Sequence, residues 1–268
     1  DRLGVYVRGK EPGTYHVLTG NMSGCLLAEY EISQMKEAGT LPEDGALIKT
    51  IVTTNLANDI AKYYNVNLIE VLTGFKYIGE QILGFETTGK GHYCFGFEES
   101  YGCLSGTYAR DKDAVVASLL ICEMAAYYKS QGKTLIDVMN GLYDEFGYYC
   151  NTVQSYTFEG AAGMEKMAAI MDGLRDNKPS SFAGYEVTKI DDYKTSKSTI
   201  VKTGEESEIT LPKSNVLAYT LTNGNKVIVR PSGTEPKIKA YITAIGQSEE
   251  NAKEIAQKLL DDANELMK

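Results

Sequence analysis

The sequence predicts a mixed α/β protein, with a layered αβα domain over residues 1–180 followed by a smaller α+β domain over 184–268. Three observations carry this. Short β-branched or apolar runs alternate with helical periods through the first two thirds of the chain, the pattern of an α/β layer structure. Residues 176–184 open with Asp-Asn-Lys-Pro-Ser-Ser, which has no apolar periodicity, and read as a linker. Beyond them extended runs dominate until a single amphipathic helix closes the chain.

The elements follow in order. Residues 3–7 read as a strand that starts with no leader or cap before it, which suggests a cut inside a longer protein. Residues 25–36 read as a helix with Asn21 and Ser23 as candidate N-caps. Residues 47–53 are β-branched and bounded by Gly45 and Asn55, hence a strand. A helix over 56–64 follows, with Asn55 as its cap, then a strand at 68–72 and a short helix at 76–83 after Gly74. Residues 93–97 form another strand. A long helix runs from Asp113 to Ser130 and stops at Gly132, and Thr134 caps a further helix that reaches Phe146. Residues 152–158 look extended and 162–175 helical. In the second domain, 185–190, 216–221, 226–229 and 238–245 read as strands, and the polar stretch 194–215 as a long loop or hairpin. Ser248 caps the last helix, whose apolar face carries Ile255, Leu259, Leu260 and Leu266.

Composition narrows the function. Hydrophobic residues make up 43% of the chain, enough for a core. No run approaches the roughly 18 apolar residues of a membrane span. The net charge of −9 comes with no basic stripe, which argues against nucleic acid as partner. Five cysteines, an odd number without CxxC spacing, argue against a disulfide framework and a zinc site. They read as reduced, mostly core residues of a cytosolic protein. His16 and His92 lie in no metal or triad pattern. There is no Walker loop and no nucleophile elbow, so an unrelated α/β phosphatase or kinase has little support.

Four motifs carry chemistry. The sharpest is Arg230-Pro231-Ser232-Gly233-Thr234-Glu235-Pro236-Lys237, between two strands. Arg230 offers a fork of two parallel N–H donors to a phosphate. Ser232 and Thr234 offer hydroxyls, Gly233 lets backbone N–H groups line a nest, and Lys237 adds a point charge. Glu235 suits such a site badly and is expected to point away. The competing reading is a polar turn with a surface arginine. The second motif, Gly96-Phe97-Glu98-Glu99-Ser100-Tyr101-Gly102, closes a strand, where α/β sheets bind ligands. Its carboxylates and serine suit sugar hydroxyls, and a capped turn is the alternative. In the third, Tyr108-Ala109-Arg110-Asp111-Lys112-Asp113, Asp113 reads as an N-cap. Lys112 is either a proton-transfer group beside a buried site or part of a solvated ion pair. The fourth, Thr73-Gly74-Phe75-Lys76, is a strand-to-helix turn that either faces an anion or is purely structural.

Together the motifs resemble the α-D-phosphohexomutase superfamily of the phosphoglucomutase/phosphomannomutase type, specifically the third and fourth of its four domains. Arg-Pro-Ser-Gly-Thr-Glu-Pro-Lys resembles the phosphate loop of the fourth domain and Gly-Phe-Glu-Glu-Ser-Tyr-Gly the sugar loop of the third. Asp1-Arg2 resembles the end of the metal loop D-x-D-x-D-R. The resemblance implies an intramolecular phosphotransferase that moves phosphate between O1 and O6 of a hexose through a phosphoserine and a bisphosphorylated sugar. It implies that Glu98 and Ser100 bind sugar hydroxyls. Arg230, Ser232, Gly233, Thr234 and Lys237 would hold the phosphate that is not reacting. Lys112 would act as general acid/base, and Gly74, Phe75 and Lys76 would help distinguish the two sugar orientations. Domain closure on ligand is implied too, since the two loops fall on opposite sides of the linker.

Two departures favour the phosphoglucomutase side. Tyr101-Gly102 stands where a Gly-His pair follows the serine in bacterial phosphomannomutases, and the turn at Gly74 lacks their histidine. The expected ligands are glucose 1-phosphate and glucose 6-phosphate, with mannose phosphates or a pentose phosphate as further candidates. No Ser-His-Asn-Pro loop occurs, and Asp1 is the one metal aspartate present. The expectation is therefore a Mg2+-dependent parent and a chain that binds no metal and turns nothing over alone. The alternative is a non-catalytic sugar-phosphate-binding protein of the same fold.

Overall fold

A computed structural model describes residues 1–9, 11–160, 162–233 and 235–267. The chain divides into two compact units, Asp1–Phe146 and Gly147–Lys268. The first begins with an antiparallel pair, β1 (Val5–Arg8) and β2 (Tyr15–Leu18). Then come α1 (Gly20–Glu37), β3 (Gly45–Thr50), α2 (Leu56–Tyr64), β4 (Asn67–Val71), α3 (Phe75–Thr88), β5 (His92–Glu98), β6 (Gly102–Ser105), α4 (Ala114–Ser130) and α5 (Leu135–Phe146). The sheet order is β4-β3-β5-β6, with β3 parallel to β4 and β5, and β6 antiparallel to β5.

Helices cover both faces of this sheet, so its central strand reads as a continuous buried run. All of β3 is buried. On one face Ile48, Val71 and Leu104 pack against Phe75, Ile78 and Ile82 of α3. On the other, Gly24 of α1 lies against the Phe97 ring so closely that a Cβ would overlap it. The local signals behave as their chemistry dictates at most ends. Asp113 caps α4 by accepting from the N–H of Val115 at 2.7 Å. Thr134 and Asp137 exchange bonds at the start of α5, the logic of a capping box. At α1 the cap is Thr19, which accepts from Met22 N, and not Asn21 or Ser23. Asn21 instead accepts from Thr54 N at 3.0 Å, and Ser23 donates back to Thr19 O.

The second unit contains β7 (Tyr148–Thr157), α6 (Ala162–Asp176), β8 (Ser181–Phe182), β9 (Tyr185–Asp192), β10 (Lys197–Ile200), β11 (Glu205–Glu208), β12 (Leu217–Leu221), β13 (Lys226–Pro231), β14 (Lys237–Gly246) and α7 (Glu249–Leu266). Its strands run in the order β11-β10-β9-β12-β13-β14-β7, and β8 pairs with β9. Leu217, Tyr219, Val229, Ile238, Ala240 and Ile242 form a core with Met171 and Leu174 of α6 and Ile255 and Leu259 of α7. The Ser248 hydroxyl caps α7.

The compact units divide at a different place from the expected linker. The expected break at 176–184 is a short connection inside the second unit, and the units part at 146/147. The physical reason is β7: it pairs with β14 from Tyr148↔Gly246 to Thr157↔Lys237, and α6 packs on the same core. The second unit is thus a larger sheet with two helices, not a few strands with one.

Candidate active site

The carboxyl ends of β3, β4 and β5 and the turns after them gather one group of polar side chains. In a parallel sheet this edge is where ligands bind, because successive turns diverge there. Glu98, the last residue of β5, is only 4% exposed. Its Oε1 accepts the backbone N–H of Gly74 at 2.9 Å. Gly74 is the N-cap residue of α3 and sits at φ 126°, a conformation closed to residues with a Cβ. The carboxylate therefore meets the positive end of a helix. Burial pushes the Glu98 carboxyl above its ordinary pKa, and the Gly74 N–H, Lys112 and Arg2 act against that.

Glu99 faces the turn after β3. Its N–H donates to Thr53 Oγ1 at 3.2 Å, and its carboxylate lies 3.4 Å from the same hydroxyl. Gly20 presses on the Glu99 carbonyl and the Tyr101 N, so the loop is held from behind by backbone. Tyr101 turns the chain at φ 71°, and Ser100 is half-buried on this turn.

Lys112 approaches from the segment before α4. Its stem crosses Gly102 so tightly that a Cβ there would overlap Lys112 Cδ. The side chain is 10% exposed, with Nζ 2.7 Å from Asp111 and 3.5 Å from Asp1. The ammonium also stands 5.4 Å over the Phe75 ring. Lys112 is ion-paired, as one reading of the sequence expects, but it is not solvated. The bond to Lys112 holds the Asp111 carboxyl below its usual range. Phe75 is 3% exposed and belongs to the core, and its ring forms a shelf beneath Lys112. Lys76 is exposed, with Nζ 4.7 Å over the Tyr77 ring.

In the second unit Arg230 lies near the end of β13, opposite Lys239 of β14. The loop between these strands is tied by Ser232 N to Lys237 O at 2.7 Å, Lys237 N to Glu235 O at 2.7 Å and Glu235 N to Ser232 Oγ at 3.3 Å. Lys237 Nζ pairs with Glu235 at 3.1 Å, so the acid that suits an anion site badly spends its charge on the neighbouring cation. Among the described residues no hydrogen bond or ion pair engages the Arg230 guanidinium, and Gly233 is exposed. Thr234, expected in this site, lies outside the described residues.

Two family descriptions match the segments of sequence that contain these loops. "Phosphoglucomutase/phosphomannomutase, alpha/beta/alpha domain III" matches residues 19–146, and "Phosphoglucomutase/phosphomannomutase, C-terminal domain" matches 182–262. The chain belongs to the phosphoglucomutase/phosphomannomutase family. A phosphoglucomutase of Staphylococcus epidermidis is 39% identical over 97% of the chain, and the chain spans 46% of that relative's length. The phosphoglucomutase parafusin of Paramecium, in an open form, shares the fold at TM-score 0.65 and 16% identity, over 94% of this chain and 41% of that one. An N-acetylphosphoglucosamine mutase of Aspergillus fumigatus, solved with GlcNAc-6P and magnesium, aligns at TM-score 0.53 and 12% identity, over all of this chain and 47% of that one.

The magnesium expected for such a mutase does not fit the residues present. Asp1 is the one candidate ligand, and it faces the Lys112 ammonium. Among the described residues no group of three or more His, Cys, Asp or Glu is placed to hold a metal ion. A hard cation needs a fuller set of oxygen ligands. Among the described residues, too, no helix is long and apolar enough to cross a membrane. Sequence reasoning missed the part played by Lys49, Thr50 and Thr53 at this edge. The one available signal was a lysine inside an otherwise apolar and β-branched strand.

Proposed function

We propose that this chain supplies the sugar- and phosphate-recognition half of a phosphohexomutase, which interconverts a hexose 1-phosphate and a hexose 6-phosphate through a phosphoserine and a bisphosphorylated sugar. The observation that carries the reading is the grouping of Glu98, the Gly74 N–H and the nearly buried Lys112 at the carboxyl edge of a parallel sheet. Glu98 has one oxygen committed to Gly74, which orients the carboxylate. The other oxygen is the acceptor for sugar hydroxyls, with Ser100 beside it. Lys112 holds or passes a proton at Nζ. Gly74 and Lys76 border the sugar, and Phe75 acts through its position under Lys112.

Arg230 is the phosphate anchor, and Ser232, Gly233, Thr234 and Lys237 contribute further donors. A bidentate fork holds a phosphate whichever end of the sugar carries it. Glucose phosphates are the substrates, in keeping with the missing histidines after Ser100 and at Gly74, and a cytoplasmic location suits them. The phosphoserine and the magnesium ligands lie outside these residues. Incubating the purified chain with glucose 1-phosphate, mannose 1-phosphate and Mg2+ tests this division of labour. Binding without conversion supports it, and conversion to the 6-phosphate would overturn it.

A further inference from the structure

Lys49 stands on the central strand β3 with its side chain 0% exposed. A buried ammonium persists only where its donors are met. Its Nζ donates to Glu70 Oε1 at 2.7 Å, Thr53 O at 3.1 Å and Asn55 Oδ1 at 3.3 Å. Glu70 is its register partner on β4, so the ion pair bridges two parallel strands. These acceptors use all the donors an ammonium has. Lys49 therefore does not reach a ligand itself.

The bonds fix the turn at residues 51–55. Asn55 shows where the side chains have been committed: it sits at the N-cap of α2, yet makes no capping bond and accepts from Lys49 instead. Thr53, held through its carbonyl, presents its hydroxyl to the sugar loop. That hydroxyl lies 2.8 Å from Thr50 Oγ1 and accepts the Glu99 N–H at 3.2 Å. Two hydrogen bonds, joined through Thr53 itself, thus link the buried ammonium to the backbone between Glu98 and Ser100.

We propose that Lys49 is a positioning residue for the sugar loop, acting through Thr53 on the Glu99 backbone. The proposal rests on the reading of residues 98–100 as the sugar-binding loop. Lys49 then sets the affinity for a sugar phosphate and leaves the affinity for inorganic phosphate, a ligand of the Arg230 loop, unchanged.

The test compares the unmutated chain with Lys49→Met and Thr53→Val, reading amide hydrogen exchange and titrations with glucose 1-phosphate and inorganic phosphate. Thr53→Val removes the hydroxyl link with little change of shape, and so decides the matter even if Lys49→Met fails to fold. Loss of one hydrogen bond predicts exchange at the Glu99 amide faster by about five- to tenfold, a similar loss of glucose 1-phosphate affinity, and no change for phosphate. Folded variants whose Glu99 exchange and sugar-phosphate affinity match the unmutated chain would overturn the role of Lys49. Equal losses for inorganic phosphate would overturn it too, as a general loss of stability. If the unmutated chain does not bind glucose 1-phosphate, the sugar-loop reading itself falls, an outcome distinct from unmutated and variant chains binding equally.

Discussion

The Glu98 carboxylate accepts the backbone N–H of Gly74 at 2.9 Å, joining the end of β5 to the first turn of α3. This one bond makes two turns, far apart in sequence, a single surface. Replacing Glu98 by alanine strands a donor at a helix end. Glu98→Ala is expected to lose about 1–3 kcal/mol in urea unfolding. Glu98→Gln keeps an acceptor for Gly74, so it holds most of that stability while binding glucose 1-phosphate more weakly. Equal stability of Glu98→Ala and the unmutated chain would remove the joint.

Gly20 gives a second check on how the loop is held. A Cβ there would run into the Glu99 carbonyl and the Tyr101 N, both backbone atoms with no rotamer to yield. Gly20→Ala is expected to cost about 1–3 kcal/mol by overpacking. It should also shift the amide resonances of residues 98–101 ahead of others in the unit. A neutral substitution would mean that the loop yields.

Glu31 predicts a pH dependence. Among the described residues one of its carboxylate oxygens is buried without a partner, while the other accepts from Ser105. Burial pushes its pKa from 4.5 up to about 7, with Glu123 adding to the rise and Ser105 opposing it. The folded state then holds a proton that the unfolded chain releases. This contribution to stability is complete below pH 4.5, declines as pH rises, and is gone above about 7. Glu31→Gln should flatten that decline, as read by urea unfolding at pH 5 and pH 8. An unchanged slope would contradict the assignment.

Arg230 is half-exposed, and among the described residues it makes no ion pair. Arg230→Lys is therefore expected to leave stability within about 0.5 kcal/mol. It should still weaken binding of inorganic phosphate, because an ammonium lacks the fork that meets two oxygens at once. A variant that binds phosphate as well as the unmutated chain would show that the fork is not the anchor.

How much of this was legible depends on where the signal lay. Helix α2 stands at the expected residues because its period is clean and Asn65 ends it in the left-handed conformation. The motif loops fall at strand ends, as their glycines and prolines suggest. The hairpin of β10 and β11 was left open between loop and hairpin because β11 is exposed throughout and shows no alternation. The compact units divide at 146/147 and not at the expected linker because the partner of β7 is β14, far along the chain, and no local pattern announces such a pairing. That the Phe75 ring is core does not show in its motif, and Lys49 was overlooked because the burial of a charge is a property of the fold and not of the residue type.

The most direct test of the central claim is an NMR titration of the chain with glucose 1-phosphate, with free glucose and the Arg230→Ala variant as controls. Recognition of a sugar phosphate predicts shifts clustered at residues 98–100 and 230–237. The 230–237 shifts should disappear in the variant, and glucose alone should produce neither set. No shifts at millimolar glucose 1-phosphate, or the same shifts with free glucose, would contradict the assignment of these loops.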